Sequence, residues 1–349
     1  MNRESNSRLY SHTMVAADSE YQSLLEQSKV EIAEERLLVA ARLLRKIPEE
    51  LWSEADVAVV QKADEIQALI DVHMKQADQD VNWKKQSESH GKRDTVIYYN
   101  VEPSTNHLTC RIETPLEASM IVPLLAVLNE SQIYDTWMPH WDFPLRLGVR
   151  ESLKLTERPG RGAQICQVTI DMPFPISDRQ VVYDTYAVDC IDESGLIAMK
   201  AKSVNVGDID GLIQPPPPGM KRIDFEAGFC IRQCPPDHPC LLKSRHSYPP
   251  DQHLLLLSLT QFADAHVDYV PAPILNFTTR TALGGQWGAL LQVAEDVRDG
   301  KRPTHTQCIQ EKEELYGWVT QRIDAMFAKL DRQGKPREPS ITGTSESDS

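Results

Sequence analysis

Four side chains with metal-binding chemistry crowd one short stretch of the chain: Cys230, Cys234, His238 and Cys240. Thiolates and an imidazole are what zinc takes in tetrahedral structural sites. The spacing C-x3-C-x3-H-x-C is not that of a usual zinc knuckle, however, and Pro235, Pro236 and Pro239 restrict the loop that would have to wrap the ion. Ordinary reduced cysteines are the preferred reading and zinc the alternative. His246, His253 and His266 fall near the ends of expected strands. No nucleophile elbow, metal-ligand motif or glycine-rich phosphate loop accompanies them, so no catalytic residue, cofactor or metal is expected and an enzyme is the weaker reading.

A second set suits binding without bond-making. Trp137, Trp141, Tyr183 and Tyr186 supply aromatic faces, Asp171 and Asp184 carboxylates, and Arg146, Arg179 and Arg222 guanidinium groups, with Asn276 and Arg280 near the start of a long helix. Aromatic faces and an acid suit a quaternary ammonium, and an arginine suits phosphate. Each has a plainer alternative: core packing for the aromatics, loop anchoring for Arg179 and Arg222, and a solvent-facing position for the two acids.

The whole chain limits the partners. Its 349 residues, 41% of them hydrophobic, suffice for one large domain with helical additions. Apolar runs such as Leu254 to Leu257 are far too short to cross a bilayer, and Met1 to Tyr10 is polar, unlike a secretory signal. Seven scattered cysteines do not resemble a disulfide framework, so a reducing, cytoplasmic setting is expected, with peripheral membrane contact allowed. A net charge of -14 argues against nucleic acid and against strongly anionic membrane.

Apolar periodicity predicts one helix from Asp18 to Ile47 and a second from Glu54 to Ala77, which pack on the main domain or receive a partner helix. Strands are expected at Thr95 to Asn100, His107 to Thr114, Cys166 to Met172, Gln180 to Ile191, Leu196 to Val206, Phe225 to Arg232, Cys240 to Tyr248 and His253 to Ala263. Asp192-Glu193-Ser194-Gly195 is good hairpin chemistry. Further helices are expected at Leu116 to Leu128, Pro271 to Val297 and Thr306 to Leu330.

So many antiparallel strands before a long apolar-faced helix predict an α+β architecture in which a coiled sheet grips that helix and leaves an interior between them. Asp184 shares its strand phase with Val182, Tyr186 and Val188. If that phase faces inward, the acid needs a partner, from an arginine or a ligand.

Four segments in order then resemble the steroidogenic-acute-regulatory-related lipid transfer (START) family of the helix-grip superfamily: YDTWMPHW from Tyr134, MPFPISDRQVVYDTYAVD from Met172, PPPPGMKRIDFEAG from Pro215, and LLSLTQFADAHVDYVPAPILNFTTRTALGG from Leu256. The resemblance implies a hydrophobic tunnel for one lipid, Arg179 and Arg222 in the family's arginine positions, and a gate in the loop at Asp210 to Met220, where Leu212, Ile213 and Met220 would touch membrane. It yields a division into a disordered start (1–17), a helical extension (18–65), a START-like domain with an extra C-terminal helix (66–330) and a disordered tail (331–349). The expected function is reversible binding and intermembrane transfer of one lipid, a phospholipid in preference to a sterol, through transient membrane contact. Sensing, or a protein-interaction scaffold using the terminal helices, is the alternative.

Overall fold

A computed structural model describes residues 4–90, 93–104, 107–142, 146–209, 211–240, 254–267 and 272–334; in the helical stretches 4–18, 272–281 and 330–334 the backbone alone is described. Eleven strands form one sheet: β1 (Lys84–His90), β2 (Asp94–Val101), β3 (Leu108–Leu116), β4 (His140–Trp141), β5 (Leu147–Glu157), β6 (Gln164–Asp171), β7 (Arg179–Cys190), β8 (Leu196–Ser203), β9 (Lys221–Arg222), β10 (Asp224–Gln233) and β11 (Leu255–Asp264). Their order is β1-β2-β3-β11-β10-β8-β7-β6-β5-β4, antiparallel throughout, with the two-residue β9 running parallel beside β7. The β3–β11 pair brings the early and late parts of the chain together at the centre. The expected helix-grip architecture is thus the one observed: a curved antiparallel sheet against a long helix, with further helices at both ends of the chain.

The helices are α1 (Glu4–Ala33), α2 (Leu37–Leu44), α3 (Glu54–Met74), α4 (Ile121–Asn129), the single turn α5 (Ile191–Ser194), the gripping helix α6 (Ala272–Arg298), α7 (Pro303–Glu311) and α8 (Glu313–Gly334). Ser53 and Asp56 close a capping box at the start of α3. Gly195 ends the α5 turn in the left-handed region, φ +68°, and completes the β7–β8 hairpin.

Each face of the sheet carries its own core. On the concave face Ile112, Leu255, Leu257 and Ile231 pack with Trp287, Leu290 and Leu291 of α6. The Trp287 indole N–H donates to Thr114 Oγ1 at 2.8 Å, fixing the helix to the sheet. On the convex face Leu38, Leu44, Ile66 and Leu69 from α2 and α3 cover Tyr186, Val188, Ala198 and Cys230. Gly228 lets this layer sit close, because a Cβ there would lie 2.2 Å from Leu69 Cδ1. The helical pair expected from the sequence therefore packs on the main body, and the expected boundary between residues 65 and 66 falls inside α3.

Two expected helices are broken. The Asp18–Ile47 helix divides at Glu35, which adopts φ +61°. Its carbonyl accepts the Asp189 N–H at 3.0 Å and its buried carboxylate accepts the Arg161 N–H, so tertiary partners pull the turn out of helical geometry. The first helix also begins earlier, at Glu4 rather than Asp18. The Thr306–Leu330 helix breaks at Lys312, φ −111° and ψ 38°, whose ammonium turns in to Glu130.

Of the expected Cys240–Tyr248 strand, Cys240 lies in a helical turn and the rest falls outside the described residues. Four strands had no sequence expectation. These are the polar edge strand β1, the two-residue β4 and β9, and β5, where register shifts between Val149 and Glu151 and between Lys154 and Thr156 disrupt alternation.

Candidate functional site

The strand phases decide which side chains meet inside. Along β7, Val181 and Tyr183 point to the concave core while Val182, Asp184, Tyr186 and Val188 belong to the convex side. The odd residues Phe225, Ala227 and Phe229 of β10 are likewise concave. They enclose a cavity of about 300 Å³ between sheet and helices.

Its sheet wall is built from Val168, Ile170, Val181, Met199, Phe225 and Phe229, and Leu125 and Leu128 close it from α4. At one end, where β5, β7 and β10 begin, stand Met138, Ile223 and Ala263. At the other end, where β6 begins and β7 finishes, α8 contributes Leu315, Tyr316, Trp318 and Val319.

Polar groups stand along the wall, Gln261 only two residues from Ala263 on β11, and a larger set stands toward the α8 end. Tyr134, Tyr183, Gln164 and Tyr316 stand there with Asn129. Burial drives both Tyr134 and Tyr183 well above the ordinary phenol range, so both keep their protons, and the Tyr134 hydroxyl donates to the Leu128 carbonyl. Gln164 Nε2 donates to the Asn129 carbonyl at 2.6 Å. Charged groups bordering this end are engaged. Asp189 accepts from Arg322, and the Arg161 guanidinium lies 4.6 Å from the Trp318 ring centre and 3.7 Å from Glu34. Glu35, raised by burial despite the Arg161 N–H, holds the β5–β6 turn.

The charged candidates named from the sequence are arranged differently from a head-group cage. Asp171 is 2% exposed but lies in the convex phase, where Arg150 donates to it at 2.6 Å, His140 sits at 3.2 Å and Arg146 at 3.6 Å. Arg146 is itself held by Asp178 at 2.7 Å. Asp184 pairs with Arg158 at 2.9 Å and faces α3, and burial raises its pKa. Sequence phase left this strand's inner face open because both faces are buried, so apolar alternation does not say which face is the interior.

Tyr183 lines the cavity. Tyr186 borders it too, but its hydroxyl donates to Glu65 on α3 at 3.1 Å, beneath Lys62. Trp137 packs edge-on against Tyr134, ring centres 5.6 Å apart, and Trp141 is 53% exposed on the edge strand. Arg179 donates to the carbonyls of Ala265 and Ser177, both at 2.5 Å, and Arg222 to that of Gln214 at 2.6 Å, so each anchors a loop. The side chains of Asn276 and Arg280 are outside the described residues.

Of the expected gate, Ile213 is buried against Ile165 and Val182 on the convex side, Leu212 is 40% exposed, and no described residue of 204–220 is among the cavity's lining residues. Asp210 is outside the described residues.

The rival chemistries have their geometry too. His238 Nε2 meets Glu113 at 2.9 Å, and all seven cysteines are free thiols. Among the described residues no group of three or more His, Cys, Asp or Glu is placed to hold a metal ion, and no helix is long and apolar enough to cross a membrane. His266 pairs with Asp224 at 3.1 Å; His246 and His253 are outside the described residues.

The cavity-lining residues that the sequence missed are chiefly Gln164, Gln261 and the α8 set. Gln164 could have been found from its phase with Cys166, Val168 and Ile170. No local signal placed α8 against the sheet.

No family model matches the chain, and no curated protein matches it. Among solved structures it is similar to human STARD10 (12% identity, TM-score 0.48, covering 68% of this chain and 81% of that one). It is also similar to human StAR-related lipid transfer protein 5 (13%, TM-score 0.48, 68% and 98%). A STAR-related lipid transfer protein fragment from Xanthomonas axonopodis gives 18% identity, TM-score 0.43, and covers 61% of this chain and 99% of that one. With these identities at or below 18% and these TM-scores below 0.5, the site's own geometry is left to decide what it binds.

Proposed function

We propose that this protein reversibly binds a single lipid in the cavity between its concave sheet face and its C-terminal helices and carries it between membranes. The observation that supports this most is the cavity itself: about 300 Å³, walled largely by aliphatic and aromatic side chains, with the tyrosines Tyr134, Tyr183 and Tyr316 toward one end. Hiding apolar surface from water is favourable by roughly 25 cal/mol per Å², enough to hold a lipid without covalent chemistry. The polar end would then satisfy its head.

The phospholipid expected from the sequence relied on an aromatic cage with an arginine and an acid. Of those groups Tyr183 lines the cavity, but Asp171, Asp184 and Arg146 are paired on the edge and the convex face, and the charged residues bordering the α8 end, Glu35, Arg161 and Asp189, already have protein partners. The volume is also at the lower end of ligand pockets, roughly 300–1,000 Å³. Both points favour one slender hydrophobic body with a small neutral head, such as a hydroxyl, over a two-chain phosphodiester.

Native mass spectrometry of the full chain after exposure to a mixed-lipid extract tests the reading. A one-to-one adduct releasing a neutral lipid supports it. Failure of folded protein to acquire any lipid would leave an interaction scaffold as the better account. As a control, Ala263→Trp places an indole at the end of the cavity opposite α8 and should reduce adduct formation by about ten-fold or more, equivalent to ~1.4 kcal/mol.

A further inference from the structure

We infer that α8 is the stop against which the bound lipid ends, so that Trp318 and Val319 determine how long a cargo the cavity accepts. This rests on the lipid-binding reading above and adds which element measures the lipid.

At this end α8 faces Gln164 and Tyr183 of the sheet and lines the cavity with them. Trp318 and Val319 stand in that lining, Val319 only 6% exposed, beside Leu315 and Tyr316. The helix is tied to three separate parts of the molecule. At its start, Lys312 and Tyr316 both donate to Glu130 just after α4, at 2.7 and 2.6 Å. Midway, Arg322 reaches Asp189 at the end of β7 and Asp192 at 3.1 Å in the hairpin. Trp318 is stacked under Arg161 of the β5–β6 turn.

Glu130 is fully buried, so moving the helix outward would strip a buried carboxylate of its partners, which is costly. A wall held in this way does not yield. With the head against it, each methylene beyond the length of the cavity must project into water at the opposite end, which weakens binding by about four-fold.

The test presents the full-length protein with an equimolar series of monoacylglycerols from dodecanoyl to eicosanoyl and reads the bound chain lengths by native mass spectrometry. Val319→Trp should move the distribution to shorter chains, excluded lengths falling about four-fold per methylene, and Val319→Ala should move it to longer ones. The two changes act in opposite directions, and Val319→Ala only removes volume, so loss of folding in one variant does not spoil the other. Variants that melt cooperatively and keep the wild-type length distribution would overturn the stop while leaving lipid binding intact. A folded wild-type protein that captures no monoacylglycerol of any length would overturn the stop, and one that also captures nothing from the mixed-lipid extract would overturn both readings.

Discussion

Tyr316 of α8 donates its hydroxyl to Glu130 Oε1 at 2.6 Å, joining two residues 186 positions apart. Lys312, Gln132 and Asn129 donate to the same carboxylate. Burial by itself would raise Glu130, but the bonds from Lys312, Tyr316 and Gln132 outweigh it and hold the group below the ordinary carboxylate range. Glu130→Gln keeps the shape and removes the charge that Lys312 answers, so it should cost about 2 kcal/mol. Urea titration should show a lower midpoint at unchanged slope; an unchanged midpoint would mean the cluster does not hold α8.

The contact of Gly228 with Leu69 tests the convex layer. Gly228→Ala would place a methyl inside the Leu69 side chain and should destabilise by about 1–3 kcal/mol. Adding Leu69→Ala removes the clash, so the double variant should lose less than the two single losses summed. Strict additivity in thermal melts would show that α3 does not press on β10 in solution.

Acid should weaken the fold through the polar seam under α3. Burial first, then the Arg111 charge, lowers His73 from its ordinary 6.5 to about 3. The unfolded chain therefore takes up that proton while the folded chain does not. The stability contributed by the neutral ring, complete above 6.5, is lost as pH falls toward 3, with a slope of up to ~1.4 kcal/mol per pH unit. For Glu113 burial acts upward, but His238 and Arg111 bring it from 4.5 down to about 2, so its contribution is present above 4.5 and lost below it. His73→Gln should flatten the decline between about pH 6.5 and 5 in denaturant midpoints; a decline equal to that of wild type would place the sensitivity elsewhere.

Trp287 should report the grip of α6. Trp287→Phe loses the bond to Thr114 and leaves a small gap, costing about 2 kcal/mol. Thr114→Val leaves the indole N–H buried without that acceptor and should cost about as much. In a double-mutant cycle the two should couple by about 1 kcal/mol, whereas zero coupling would deny the bond.

Much of the fold was legible locally. β2, β3, β6, β7, β8 and β10 and the helices α3 and α6 lie within a few residues of their expected positions, because alternation and helical periodicity are local properties of the chain. β1 was invisible because Lys84–His90 is a polar edge strand that buries almost nothing. The breaks at Glu35 and Lys312 were invisible because their causes, Asp189, Arg161 and Glu130, are distant in sequence.

The candidate site was less legible than the fold. Tyr183 lines the cavity, but Asp171, Arg146 and Asp184 form ion pairs away from it, and Arg179 and Arg222 hold loops. Residue type identified groups that need partners without saying which partners they find.

By itself, the amino-acid sequence determined most of the elements, the antiparallel character of the sheet and the presence of a long helix to be gripped, since each follows from period, turn chemistry and apolar content over a few neighbouring residues. Tertiary structure alone decided which face of each doubly covered strand is the interior, where the larger set of the cavity's polar groups stands, and that α8 closes its end. Those choices depend on long-range burial: α2 and α3 make the Tyr186 side of β7 as dry as the Tyr183 side, and a local pattern cannot distinguish two dry faces.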